Sequence, residues 1–204
     1  MKKAITQTYM KRSVSEQREI MRKNILLAFE CLLQDSSYIE IGVNKICSEA
    51  HISKPTFYRY FQSKEDIVRW LSKEAIRCGV AEVGRKYTWT EGYLRTLMVI
   101  DHYRGFYADP KGPAITNPLS TFCSDFLKLV LFETLTKYKG TILTKKLSFQ
   151  IEAFVQIQSY LLQQWGAKEM LLDAKTYADY LSSVVPHDLY ISLEEPTDFI
   201  VLKA

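Results

Sequence analysis

The stretch V-N-K-I-C-S-E-A-H-I-S-K-P-T-F-Y-R-Y-F-Q-S-K, from Val43 to Lys64, decides the fold. Two short helical patterns flank a tight connection. The first, residues 43–50, buries Ile46, Cys47 and Ala50. The second, residues 54–61, opens on Ser53, whose hydroxyl can accept from a free backbone N–H of the first turn. Pro55 falls in that turn, where its missing N–H costs little. Phe57 and Phe61 lie four apart and share the inward face, which leaves Lys54, Thr56, Tyr58, Arg59 and Tyr60 to point elsewhere. A short helix crowded with cations, hydroxyls and phenols, held by a preceding helix, is what reading a DNA major groove requires. The competing reading is a helical hairpin with a solvated polar face.

The segment Ile52 to Phe61, followed by Ser63-Lys64-Glu65, closely resembles the recognition helix and following turn of the TetR family of regulators. The helical segment before it, with Ile25, Ala28 and Leu32, and the aromatic Tyr38 resemble the family too. The resemblance covers about the first 75 residues. It implies an all-α chain, in which an N-terminal three-helix helix-turn-helix DNA-binding domain precedes a larger helical ligand-binding and dimerisation domain. The expected divisions are 1–64 for the N-terminal arm and helix-turn-helix, 65–186 for the regulatory and dimerisation part with its connecting helix, and 187–204 for a C-terminal tail.

By the same similarity Thr56, Tyr58 and Lys64 should contact phosphates, and Tyr60 could do so from the recognition helix. Lys64 sits near the start of a fourth helix, where backbone N–H groups also favour an anion. Lys54 leads into the groove and could donate to guanine O6 or N7. Pro55 could pack on a thymine methyl, and Arg59 could reach a base or a phosphate. Asn44 matches a position that contacts DNA in some relatives. Two positions depart from the pattern. Relatives often open the second helix with Thr or Ser, where this chain has Ile41-Gly42. The turn between the helices often has Gly, where this chain has His51, which must then adopt an unusual backbone conformation.

Charge is distributed to match. The chain has 204 residues and a net charge of +4. Residues 1–80 hold 14 Lys and Arg against 9 Asp and Glu, whereas residues 81–204 hold 13 against 14. The basic excess therefore lies with the helix-turn-helix pattern, as an electrostatic footprint for phosphate should. Lys2, Lys3, Lys11, Arg12, Arg18, Arg22 and Lys23 oppose only Glu16 and Glu19, which reads either as a basic arm along DNA or as a solvated tail. Cys31, Cys47, Cys78 and Cys123 show no C-x-x-C pairing, so neither a metal nor a disulfide frame is expected. Cys31, Cys47 and Cys78 fall on apolar helical faces and read as small core residues. No run of eighteen apolar residues exists, and no apolar stretch follows Met1-Lys2-Lys3, so a cytoplasmic location without membrane contact is expected.

Further helices are expected over 16–35, from Ser63 onward, from a Thr90 cap to about Tyr107, from about Leu119 to Tyr138, from Thr144 to about Trp165, and from Asp173 to Val185. Asp109 to Pro113 reads as a break. The runs at Leu189–Leu193 and Phe199–Leu202, rich in β-branched and aromatic residues, suggest an extended segment or a docking element.

Ile151, Phe154, Val155, Leu162, Tyr177, Leu181 and Val184 lie on two amphipathic C-terminal patterns. They read as core or as one half of a four-helix interface between two copies; the resemblance favours the second. A two-fold dimer would set two recognition helices about one helical turn apart on a palindromic operator. Tyr93, Met98, His102, Tyr103, Phe106, Phe122, Phe126 and Trp165 are candidates to line an apolar cavity for a small apolar or aromatic effector, His102 supplying a polar contact; plain aromatic core is the alternative. No histidine stands with Ser, Cys or carboxylates in a catalytic pattern, and no cofactor motif is present. The expected function is a dimeric DNA-binding transcriptional regulator, a repressor, controlled by a ligand or partner. The alternative is a TetR-like protein that has lost operator binding and acts through a protein partner.

Overall fold

The computed structural model describes residues 13–107, 117–167 and 172–194. The expected arm residues Lys2, Lys3, Lys11 and Arg12, the break at Asp109–Pro113 and the Phe199–Leu202 run lie outside these. Among the described residues every regular element is a helix or helical turn, apart from an isolated bridge between Val83 and Tyr87. No helix there is long and apolar enough to cross a membrane.

Helix α1 (Val14–Asp35) starts at Ser13. The Ser13 hydroxyl accepts from the Glu16 N–H while the Glu16 carboxylate accepts from the Ser13 N–H, which satisfies two otherwise orphaned donors. A 3₁₀ turn (Tyr38–Glu40) leads into α2 (Val43–Glu49) and α3 (Lys54–Tyr60). Ile25, Leu26 and Phe29 of α1, Ile46 of α2, Phe57 of α3 and Phe61 are all essentially buried. Each such side chain contributes about 1.5–3 kcal/mol of transfer free energy. The three helices thus close around Phe57.

Helix α4 (Lys64–Cys78) serves two sets of partners. Ile67, Val68, Leu71, Ala75 and Ile76 are all buried; Trp70 meets Phe61 of the head edge-on, and Ala75 and Ile76 lie beside a cavity shared with the helices that follow. The end of α4 crosses α5 (Trp89–His102) closely. A Cβ on Gly79 would stand 2.2 Å from the Gly92 carbonyl oxygen and 2.3 Å from Thr96 Oγ1. Thr96 Oγ1 uses that proximity: it accepts from the Val80 N–H at 3.0 Å and donates to the Gly92 carbonyl at 3.1 Å. The expected cap at Thr90 is corrected to Thr88, whose hydroxyl and Glu91 form a second capping box. The helix also stops earlier than expected, at His102, and continues as a 3₁₀ turn (Arg104–Phe106).

Helix α6 (Asn117–Glu133) runs into a π-turn (Thr134–Tyr138). Arg85 holds this turn: its Nε donates to Thr134 Oγ1 at 2.9 Å, it pairs with Glu133, and its guanidinium lies 4.1 Å above the Tyr138 ring. Helix α7 (Lys145–Ala167) packs along α6, and α8 (Ala174–Ser183), capped by Asp173, packs on α5. The expected extended run at residues 189–193 is instead helix α9 (His187–Leu193), with Leu189 and Leu193 fully buried. Those two leucines are four positions apart, so a helix puts both on one face, and Lys146–Asp188 ties it to α7.

The cysteine expectation holds only in part. Cys47 and Cys123 are buried, but Cys31 and Cys78 are exposed. Cys31 shares the outward side of α1 with the exposed Leu27, and Cys78 follows the exposed Arg77 in the last turn of α4.

Gln158 on α7 is fully buried, and neither end of its amide finds a partner among the described residues. An orphaned buried amide costs about 1–3 kcal/mol. Gln158→Met, of similar length and without polar hydrogens, is expected to raise stability by about 1 kcal/mol, seen as a higher urea midpoint at unchanged slope.

Candidate nucleic-acid interface

Ser53 caps α3, its hydroxyl accepting from the Thr56 N–H at 3.2 Å and lying 2.9 Å from Thr56 Oγ1. Pro55 occupies the first turn. Phe57 is buried and turns edge-on to Tyr58, centroids 5.4 Å apart, while Phe61 packs against Phe57 and Trp70. With Phe57 inward, the chain's geometry places Lys54, Pro55, Tyr58 and Arg59 outward, all exposed, and Tyr58 is 54% exposed. Asn44 on α2 is exposed as well, and so is its neighbour Lys45, a cation that resemblance did not single out. Thr56 and Tyr60 are half-buried, the Thr56 hydroxyl beside the cap and Tyr60 against the core.

The turn from α2 to α3 confirms the strain expected at His51, which has φ +53°. Its N–H donates to the Ser48 carbonyl at 3.2 Å, and the Ile52 N–H reaches back to the Cys47 carbonyl at 2.9 Å. This pairing is a Schellman motif, which requires a left-handed residue just past the helix end. Gly42 caps α2 through ordinary extended backbone, φ −90° and ψ 162°, without a side-chain hydrogen bond.

Lys64 stands apart from its expected phosphate role. Its ammonium turns back on the 3₁₀ turn, donating to the carbonyls of Tyr38 at 2.6 Å and Ile41 at 3.0 Å. Of the basic residues in α1, Arg18 and Lys23 are exposed, while Arg22 pairs with Glu19 and lies over the Phe61 ring.

The expected effector pocket is not assembled from the residues named for it. Met98 is 60% exposed and His102 is exposed, edge-on to Tyr103 at 4.5 Å. Helix α5 turns Trp89, Tyr93, Leu97 and Ile100 inward, so Met98 and His102 fall on the opposite face. Tyr93, Phe106 and Trp165 are buried as core: Tyr93 stacks on Trp89, Phe106 meets Phe29 edge-on at 5.1 Å, and Trp165 stacks on Tyr177. Tyr103, Phe122 and Phe126 are half-buried against the core, Phe126 beneath the Lys73 ammonium. A small cavity of about 30 Å³ lies instead among α4, α5, α6 and α7, lined by Ser72, Ile100, Tyr107, Cys123, Ser159 and Gln163 among others. Burial pushes the Cys123 thiol up to about 12, so it stays protonated at neutral pH.

Most residues expected at a dimer face lie inside this chain. Ile151, Phe154, Val155, Leu162, Tyr177 and Leu181 are buried within this one chain; only Val184 of that set is exposed. The outward apolar side chains of α7, of α8 and of the residue that ends α8 are Phe149, Ile157, Tyr160, Tyr180 and Val184, each more than half exposed. Both faces of α7 carry apolar residues at helical spacing, so periodicity alone did not separate the inner stripe from the outer. Among the described residues no cluster of three or more His, Cys, Asp or Glu is placed to hold a metal.

Residues 25–71, which span this head, match the profile of the family described as bacterial regulatory proteins, tetR family. That match covers the helix-turn-helix head, so this part of the chain is of tetR type. Along 98 residues the chain is 32% identical to the HTH-type dhaKLM operon transcriptional activator DhaS of Lactococcus lactis subsp. lactis (strain IL1403). That alignment spans 48% of this chain and 50% of the relative, so the chain matches about half the length of that curated protein. The solved structure of a dihydroxyacetone kinase operon activator DhaS matches 87% of this chain and 99% of its own, at TM-score 0.61 and 20% identity. A tetR-family transcriptional regulator from Streptomyces coelicolor matches 88% of this chain and 91% of its own, at TM-score 0.53 and 16% identity. At those identities the structural matches establish the shared tetR-type fold.

A tetR-type turn with His in the glycine position is expected to improve on reverting. His51→Gly should stabilise the chain by about 1 kcal/mol, because a left-handed backbone costs a side-chain-bearing residue about 1–2 kcal/mol. Thermal unfolding of the two proteins side by side checks this.

Proposed function

We propose that this tetR-family regulator binds a palindromic DNA operator as a homodimer, α3 entering the major groove of each half-site. The observation that carries the reading is the outward side of α3, where Lys54, Pro55, Tyr58 and Arg59 are exposed while Phe57 anchors the helix. Tyr58, Thr56 and Tyr60 would position the helix on phosphates, Lys54 and Pro55 would meet base edges, and Arg59 and Asn44 would contact either. Two copies would meet through the outer faces of α7 and α8, where Phe149, Ile157, Tyr160, Tyr180 and Val184 form an apolar surface. The small cavity beside Tyr107 is where control by a ligand would act. DhaS, the name carried by both the sequence match and the structural match, is described as an operon activator, which supports activation over the repression expected from sequence.

The competing reading, a partner-binding protein without an operator, draws on Gly42, which offers no hydroxyl, and on Lys64, whose ammonium is engaged inside the chain. The exposed cations of α3 weigh against it, since a protein-only module has no need of them.

Selection of duplexes from a random pool at near-physiological salt tests the reading. A palindrome is the expected product, and recovery of no duplex above background would overturn it. On that palindrome, Tyr58→Ala should weaken all sequences alike, whereas Lys54→Ala should cost about 1–3 kcal/mol and relax preference at a single base pair. Ile157→Glu combined with Tyr160→Glu should give monomers in sedimentation and lose the advantage of a full palindrome over a half-site.

A further inference from the structure

We propose that Lys64 is a positioning residue, an ammonium clamp that sets α2, and through it α3, against α4, and that it makes no phosphate contact of its own. The inference rests on the DNA-reading function proposed above and replaces the phosphate role that the resemblance implied for Lys64. The Lys64 Nζ lies 2.6 Å from the Tyr38 carbonyl oxygen, 3.0 Å from that of Ile41 and 3.5 Å from that of Ile39, and 4.2 Å above the Tyr38 ring. An ammonium has three hydrogens and no more. Two are held by close carbonyls, and the third faces the weaker carbonyl and the ring. A phosphate would have to displace one of these partners.

The carbonyls that Lys64 gathers belong to the 3₁₀ turn and the residue after it, the last segment before α2. Carbonyls at the end of a helical turn have no partner within it and need one from outside. The other device that could fix the entry to α2 is a side-chain cap, and Gly42 supplies none. From the first turn of α4, Lys64 does not replace that cap but holds the turn that leads into α2 by its carbonyls. The neighbouring residue adds a second tie, since the Tyr38 hydroxyl donates to Glu65 Oε1 at 3.2 Å. The Tyr38 ring is itself seated on Phe29 of α1, centroids 5.5 Å apart. Loss of the ammonium leaves the turn, and with it Asn44 and the support of α3, free to shift relative to α4 while the cations of α3 remain.

The clamp and the phosphate contact differ in what they do to lysine reactivity. Reductive methylation of the full chain, mapped by mass spectrometry with and without the selected palindrome, reads both. Lys64 is expected to react at least roughly tenfold more slowly than Lys45 and Lys54 in the free protein, and not to change when DNA is added, whereas Lys54 becomes protected. A Lys64 as reactive as Lys45 in the free chain and protected by DNA overturns the clamp. A slow Lys64 with no lysine protected by DNA upholds the clamp and overturns the DNA-reading function instead.

Binding measurements separate positioning from mere support of the fold. Lys64→Arg keeps a cation, which would restore a phosphate contact, but a planar guanidinium cannot aim three hydrogens from one nitrogen. Its preference for the palindrome over a scrambled duplex should fall by roughly fivefold or more, with scrambled-duplex affinity unchanged. Lys64→Met should lose the same preference with an unaltered salt slope. A slope smaller by about 0.9 would mark a lost phosphate contact and overturn the proposal, as would full specificity in Lys64→Arg. Loss of thermal stability in either variant without any change in that preference would also overturn it, leaving Lys64 a purely structural residue.

Discussion

The close crossing of α4 over α5 is the constraint on which the remaining architecture depends. Gly79 brings the end of α4 so near the Gly92 carbonyl and Thr96 that no side chain fits between them. Thr96 converts the contact into two buried hydrogen bonds, one to the chain just past α4 and one back into α5. Close packing of this kind tolerates little change in volume. It fixes the C-terminal end of the helix whose N-terminal end carries Lys64. One rigid element is thereby shared between the head and the helices behind it, with Trp70 against Phe61 on one side and Ala75 and Ile76 beside the cavity on the other.

At the head, two local departures from the family pattern and one long-range tie belong to a single region. His51 takes a left-handed backbone in a Schellman turn that glycine would fit without strain. Gly42 leaves α2 without a side-chain cap. Lys64 and Glu65, from α4, hold the turn just before that helix. A weak local signal at one end of α2 is offset by a long-range tie, so α3 is presented from a firm base even though α2 is only two turns long. The same head meets the rest of the chain through Phe29 on Phe106. The residue after Phe106, Tyr107, bonds to Ser72 of α4 and lines the small cavity. A continuous packed route therefore joins that cavity to the turn clamped by Lys64.

Most of the helical architecture was legible in the sequence because it rests on local chemistry. Ser53, Ser63 and Asp173 cap the helices expected of them, and Pro55 and Phe57 define α3. The reading face followed from the same logic, since burying Phe57 and Phe61 leaves Lys54, Tyr58 and Arg59 outside. Residues 189–193 misled because Leu, Tyr, Ile and Ser suit a strand as well as a helix; burial of Leu189 and Leu193 against neighbours settled it. Propensity over so short a run is a weak guide beside tertiary packing.

By itself the sequence determined that the chain is helical, that a tetR-type head opens it, and which side of α3 faces outward, because caps and 3.6-residue periodicity act within a few residues. Tertiary structure alone decided which apolar stripe of α7 is core and which is surface, that Met98 and His102 point away from the interior, and that the Lys64 ammonium turns inward to Tyr38 and Ile41. Those outcomes depend on where distant helices lie: apolar residues on both faces of a helix look alike until a neighbour covers one of them. A lysine, likewise, has no visible partner until the fold brings carbonyls from more than twenty residues away within hydrogen-bonding reach.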